Sequence, residues 1–326
     1  MIPAKTIYLE KPRLLVFYDQ DGWVFHRIAL RVQAFLNDRG YVVKISPTVK
    51  QSVPQDIFEE FDGILLIWWN AAIDFLERIP KHMHVFTFFY DHFTQKGHWL
   101  AQAKVTAYRS SGVFASSKIL QAELKARAIH HAPDLFRDGV DSNYFQFHPL
   151  RRRGTLDRLR IGWAGNSKLG LTEKWDLKGL SILKEAAKLV PEIDLVIADR
   201  YDSPVSYEKM SDWYAGIDVY AIASESEGTP NGALEAASTG RPIISTSVGI
   251  VPELLSKSKG GWIIPERTVN AFVKAFQELA RGELPLALWG GWNREEIERA
   301  WTWEKQLAGM ESVLRRYLKS SERDKS

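Results

Sequence analysis

Cysteine is absent from the 326 residues, which excludes disulfides and thiolate chemistry and permits a reducing compartment. Long apolar runs are missing as well. Nothing approaches the roughly 20 residues of a spanning helix, and Met1 to Glu10 carries no apolar signal-peptide core, so a cytoplasmic enzyme is the expectation. A formal net charge of +3 is too small to argue for nucleic acid, and no such partner is expected. The turn after the first apolar run lacks G-x-G-x-x-G, which counts against a dinucleotide-binding oxidoreductase.

What is present is an ordinary globular composition, 45% apolar and 25% charged, at a length sufficient for two domains with their own cores. The most informative stretch runs from Asp218 to Thr246 and reads as strand, loop, helix, strand. Val219 to Ala223 is a short β-prone run, and Ser224 to Pro230 has loop chemistry. Asn231 can cap a helix over 232–239, with Gly240 as its left-handed terminator and Pro242 forbidding continuation. Glu227 in the loop and Glu235 one turn into the helix then face one crevice at the strand ends. Free N–H groups at the helix start favour an anion, and carboxylates accept hydroxyl protons. Together they describe a site for a nucleotide-sugar.

This Glu-x7-Glu pair, with Gly228-Thr229-Pro230-Asn231-Gly232 between and Gly240-Arg241-Pro242 after, resembles the donor motif of retaining GT-B glycosyltransferases of the family 4, or group 1, type. The resemblance implies an α/β fold of two Rossmann-like domains facing across a cleft, with a C-terminal helix crossing back to the first. The acceptor-side domain would be 1–150 plus about 303–326, and the nucleotide-sugar domain 155–300. It further implies retention of configuration and no required metal or other cofactor. Glu235 would then accept from the ribose hydroxyls and Glu227 would orient the sugar, with backbone N–H groups from Gly228 to Gly232 on sugar or phosphate. The acceptor would be a glycan or glycolipid. A nucleotide-sugar epimerase and a non-catalytic nucleotide-sugar-binding paralogue of the same fold remain as alternatives.

In chain order, Arg13 to Tyr18 reads as a strand, 23–37 as a helix buried through Ile28, Leu30, Val32, Phe35 and Leu36, and 41–45 as a second strand. Asp19-Gln20-Asp21 imitates a D-x-D metal motif but reads as turn chemistry. In the resemblance this turn faces acceptor and donor phosphates, which singles out Gly22 and Trp23. Gly63 to Trp69 and His84 to Tyr90 are apolar runs of a sheet covered on both faces. Their ends nominate Trp69 and Tyr90 on the acceptor side, and Asp91 and His92 as catalytic candidates set against a structural hydrogen-bonding role. Relatives carry His-Asp where this chain has Tyr90-Asp91.

Asp138 to Phe145 resembles the segment before the interdomain linker, with Phe145 as an anchor. Arg151-Arg152-Arg153 reads as a solvated hinge, with anionic lipid contact as the minor alternative. In the second domain Arg160 to Ala164 opens the sheet. Asn166 stands where relatives place an arginine, with Lys168 two residues on as a surface lysine. Lys178-Gly179 matches the family's lysine-glycine pair, and Lys178 would meet the diphosphate as its charge develops. Ile193 to Ala198, Tyr207 to Gly216, Gly261 to Pro265 and Asn270 to Leu279 complete the alternation of strands and helices. Trp301-Thr302-Trp303-Glu304 resembles the family's terminal helix.

Overall fold

The computed structural model describes residues 11–48, 55–72, 75–90, 97–151, 154, 157–168 and 176–318. The chain divides into two compact units: Met1–Ser116 with Leu120–Phe136 and Leu307–Ser326, and Ser117–Ile119 with Arg137–Gln306. Each is built on a parallel sheet with helical crossovers, as strands alternating with amphipathic segments require.

The first sheet comprises β1 (Arg13–Tyr18), β2 (Val42–Pro47), β3 (Gly63–Leu66), β4 (His84–Phe89), β5 (Gly112–Ala115) and β6 (Asp134–Leu135) in the order β2-β1-β3-β4-β5-β6. Leu14 pairs with Val43 on one side and Gly63 on the other. Leu14 to Phe17 and Ile64 to Leu66 are fully buried, which is why these strands read as unbroken apolar runs. Helix α1 (Val24–Asn37) buries Ile28, Ala29, Val32, Phe35 and Leu36. Leu30, expected inside, is 44% exposed, because the spacing of the other five fixes a stripe that passes it by. Helix α2 (Gly97–Arg109) and helix α3 (Lys118–Ala126) flank β5.

The second sheet comprises β7 (Leu159–Gly165), β8 (Ile193–Asp199), β9 (Val219–Ile222), β10 (Ile243–Ser245) and β11 (Gly261–Ile263) in the order β11-β10-β9-β7-β8. Its helices are α4 (Leu180–Lys188), α5 (Tyr207–Ala215), α6 (Asn231–Ser238), α7 (Val251–Ser258), α8 (Val269–Ala280) and α9 (Leu286–Ala300), followed by α10 (Trp303–Tyr317). Along β9 the side chains alternate between two cores: Val219 and Ala221 lie with Leu183 and Phe276, Tyr220 and Ile222 with Tyr214, Leu234 and Leu254.

Helix α9 lies beyond the elements read from the sequence and carries Gly290 and Gly291 within it. A Cβ at Gly290 would lie 2.1 Å from the Gly240 carbonyl oxygen, so close backbone approach selects glycine there against helix propensity. Arg151 is no freely solvated hinge residue: its guanidinium donates to the buried Asp218 at 3.1 and 3.2 Å. Arg152 and Arg153 lie outside the described residues. Phe145 is buried, edge-on to Tyr207 and Tyr214. Among the described residues no helix is long and apolar enough to cross a membrane.

Arg241 is fully buried and donates to the carbonyls of Thr239, Ile217 and His148. Burial pulls its pKa down to about 10. Arg241→Met should cost about 3 kcal/mol or more, because several buried carbonyls lose their donor at once. A urea midpoint equal to wild type would contradict this.

Candidate donor site of the second unit

The β7–α4–β8 connection leaves on one side of β7 and the next strand, β9, lies on the other, so the sheet has its switch point between β7 and β9. Open parallel sheets bind ligands in the crevice at such a point. A pocket of about 200 Å³ lies there, lined by residues of β7 and β9, by Lys178, and by the loop and helix start from Ser224 to Gly232.

Lys178 enters the pocket through a close backbone contact. Gly179 has φ +69°, and a Cβ on it would lie 2.0 Å from the Ala223 carbonyl oxygen. The Glu225 N–H donates to the Leu177 carbonyl at 2.9 Å, the Trp163 indole N–H donates to the Lys178 carbonyl at 3.3 Å, and Arg267 donates to the carbonyls of Ala223 and Asp176. Held this way, Lys178 Nζ donates to Glu227 Oε1 at 2.6 Å, and the Ser224 hydroxyl donates to the same oxygen at 2.7 Å. The two charged side chains are 18% and 12% exposed, a partly buried ion pair. The far side of the loop is set by Gly249, φ +51°, where a Cβ would meet the Gly228 carbonyl oxygen at 2.3 Å.

Asn231 is the first residue of α6 and does not cap it; Pro230 is the N-cap residue, and no side chain caps the end. The first turn therefore presents its N–H groups without a capping side chain. Gly240 has φ +80° and ends the segment as expected. Thr229, Pro230, Asn231 and Gly232 line the pocket, whereas Gly228 contributes loop backbone packed on Gly249. Glu235 is half-buried in the second turn, where its Oε2 accepts from the Tyr214 hydroxyl at 2.9 Å.

Asn166 is engaged elsewhere than expected. Its Oδ1 accepts from the Lys168 N–H at 3.0 Å in a local turn, and Lys168 Nζ lies 4.6 Å from the Tyr201 ring centroid. Neither residue lines the pocket. The turn is fixed by Asp199, which accepts from the Ser167 N–H and hydroxyl. Burial pushes the Asp199 carboxyl up, but these hydrogen bonds outweigh it and hold its pKa below the ordinary value.

The remaining candidates belong to the first unit. Gly22, φ +77°, has open space around it, and its N–H donates to His26 Nδ1 at 2.9 Å. Trp23 is 42% exposed, and Tyr90, half-buried, sits 5.2 Å from the Phe25 ring. Trp69 is fully buried, stacked on Phe89 and edge-on to Trp99, so it packs the core and offers no surface to an acceptor. Asp91 and His92 lie outside the described residues. In the D-x-D turn the two acids diverge: Asp21 accepts from the Tyr18 hydroxyl at 2.5 Å, while Asp19 Oδ1 is buried without a partner and burial raises its pKa. Among the described residues no three His, Asp or Glu side chains converge as metal ligands would.

Sequence reasoning missed Tyr214, Tyr220, Ser224 and Trp163. Tyr220 was read only as part of a strand, and its hydroxyl donates to the Ala164 carbonyl at 3.2 Å beneath the pocket. The adjacent Gly232 carried a signal, since a Cβ there would lie 2.2 Å from that hydroxyl.

The two-unit architecture with this pocket defines the GT-B type of fold. Sucrose-phosphate synthase from Thermosynechococcus elongatus superposes with a TM-score of 0.76 over 95% of this chain and 100% of its own, at 14% identity. Anabaena HepE in complex with UDP-glucose superposes at 0.73 over 92% and 99%, at 12% identity. In sequence, residues 174–282 match the family of glycosyl transferases described as group 1. A D-inositol 3-phosphate glycosyltransferase of Streptomyces griseus is 28% identical over 102 residues, 31% of this chain and 22% of that protein. A putative colanic acid biosynthesis glycosyltransferase, WcaL of Escherichia coli, is 38% identical over 61 residues, 18% of this chain and 15% of its own. The chain thus spans about a fifth of the length of these curated relatives.

Gly179→Ala should disrupt the pocket, since the new methyl meets backbone that no rotamer can move, and should destabilise by well over the about 1–2 kcal/mol of a left-handed alanine. Gly22→Ala, with open space, should cost only that smaller amount. Equal denaturation midpoints for the two variants would refute the packing role of Gly179.

Proposed function

We propose that this protein is a retaining, metal-independent glycosyltransferase that moves a hexosyl group from a nucleotide-sugar to a hydroxyl acceptor. The observation that carries the reading is the pocket at the β7/β9 switch point, where Lys178, Glu227 and the start of α6 meet. The ammonium and the α6 N–H groups suit a diphosphate. Glu227 suits sugar hydroxyls, and Glu235 the ribose. The bond from the anomeric carbon to the diphosphate oxygen breaks, the bond to the acceptor oxygen forms on the same face, and the acceptor proton passes to the leaving diphosphate. Lys178 stabilises the charge that grows there. The acceptor is a glycan or glycolipid met by the first unit, in cell-surface polysaccharide, glycan or glycolipid synthesis. The reaction runs in the cytoplasm, with peripheral contact at the inner face of the membrane when the acceptor is lipid-linked.

The two carboxylates separate by role. Glu235→Gln should weaken nucleoside diphosphate binding roughly tenfold to a hundredfold, the worth of one charge-assisted hydrogen bond. Glu227→Gln should bind the diphosphate at least as tightly as wild type, because the residue that occupies Lys178 in the free site has lost its charge, while turnover falls. Calorimetry on both variants decides it. A loss of diphosphate affinity in Glu227→Gln as severe as in Glu235→Gln would make the pair a structural network instead. Slow release of nucleoside diphosphate from donor without acceptor distinguishes a transferase from a binding paralogue.

Activity should survive EDTA, because Lys178 and the α6 N–H groups take the place of a metal at the diphosphate. Loss in EDTA with restoration by Mn²⁺ would bring Asp19 and Asp21 back as ligands.

A further inference from the structure

Beneath the pocket lies a pair of buried phenols that the proposed reaction does not yet use. Tyr214 on α5 is 1% exposed and Tyr220 on β9 is 3% exposed. Their rings meet edge to face at 5.6 Å, and Phe145 closes on Tyr214 from another side at 6.0 Å. Helix α5 is itself docked by the Ser211 hydroxyl, which donates to the Tyr144 carbonyl at 3.1 Å. Both hydroxyls reach the start of α6 because residue 232 is glycine: a Cβ there would lie 2.2 Å from the Tyr220 oxygen and 3.2 Å from that of Tyr214. Tyr220 donates to the Ala164 carbonyl, and Tyr214 donates to Glu235 Oε2 at 2.9 Å.

We propose that Tyr214 is a positioning residue which holds the Glu235 carboxylate as a rigid acceptor for the 2′,3′-diol of a ribonucleotide, so that the site selects ribonucleoside over 2′-deoxyribonucleoside diphosphate donors. The inference rests on the donor-site reading above. A glutamate in the second turn of a helix has three rotatable bonds, and a free one would follow a deoxyribose as readily as a ribose. Tethering one oxygen to an immobile phenol removes that freedom while leaving the carboxylate with lone pairs to accept further hydrogen bonds. Burial and the neighbouring Glu235 push the Tyr214 hydroxyl well above the ordinary phenol range, so it stays a donor at every working pH. A fixed, half-buried acceptor forgoes a hydrogen bond to a ligand that lacks the hydroxyl, and this loss is the source of selectivity.

The test is calorimetry of the full chain with UDP, GDP and ADP and with the 2′-deoxy form of each. Wild type should prefer the ribonucleotide of its best base by roughly tenfold or more. Tyr214→Phe keeps the ring and its packing, so it should narrow that ratio to about threefold or less, mainly through weaker ribonucleotide binding. A general loss of structure would weaken both forms alike and leave the ratio unchanged. A wild-type ratio near one, or a ratio retained in Tyr214→Phe, overturns the proposal. Should Tyr214→Phe fail to fold, Glu235→Asp draws the carboxylate back from the phenol and must collapse the same ratio; retention there overturns it equally. If none of the six nucleotides binds, the donor-site reading itself fails, an outcome distinct from binding without discrimination.

Discussion

The site depends on one contact between backbones. Gly179 lies against the Ala223 carbonyl at a distance no other residue could tolerate, and Arg267 donates to both segments. That contact joins the start of α4 to the end of β9, two places that sequence separates and the switch of strand order brings together. Lys178 precedes the glycine and Glu227 follows the alanine by one turn of loop, so their meeting at 2.6 Å is a consequence of where the backbones touch. Gly249 repeats the device on the other side of the loop, against Gly228. A loop so clamped can carry charged side chains in a fixed geometry without a helix or strand of its own.

Much of the fold was legible because parallel sheets bury both faces. The strands stand out as apolar runs, and β1, β3, β4 and β9 lie within a few residues of where those runs predict them. Of the Glu-x7-Glu pair, Glu227 lines the crevice, while Glu235 stands a turn further along α6 against Tyr214. Where the reading failed, a long-range contact outweighed a local preference. Asn231 looks like a cap and is the first helical residue, with Pro230 ahead of it. Trp69 reads as the end of a strand, but the strand stops at Leu66 and Trp69 opens a 3-10 turn that buries it, which no pattern of period two could reveal.

The two glutamates show the same limit at the level of chemistry. Sequence assigned each a ligand, yet in the free protein each already has a partner, Lys178 for Glu227 and Tyr214 for Glu235. The partners differ in kind. An ammonium can leave its carboxylate for a phosphate, whereas a phenol locked in the core cannot follow a ligand and so fixes the acid that it holds.

That difference bears on what the pocket can accept under the proposed function. Separating Lys178 from Glu227 strands two partly desolvated charges, and a ligand must satisfy both to recover the loss. A bare phosphate meets the ammonium but leaves the carboxylate without its cation. A free sugar offers hydroxyls to the carboxylate but has no charge with which to draw the lysine away. A molecule that carries a diphosphate and a sugar in covalent sequence satisfies both at once, and the ion pair then acts against either half alone. Under the proposed function the Lys178–Glu227 ion pair would thus favour the joined donor over either half, with no contact specific to the covalent link between the halves.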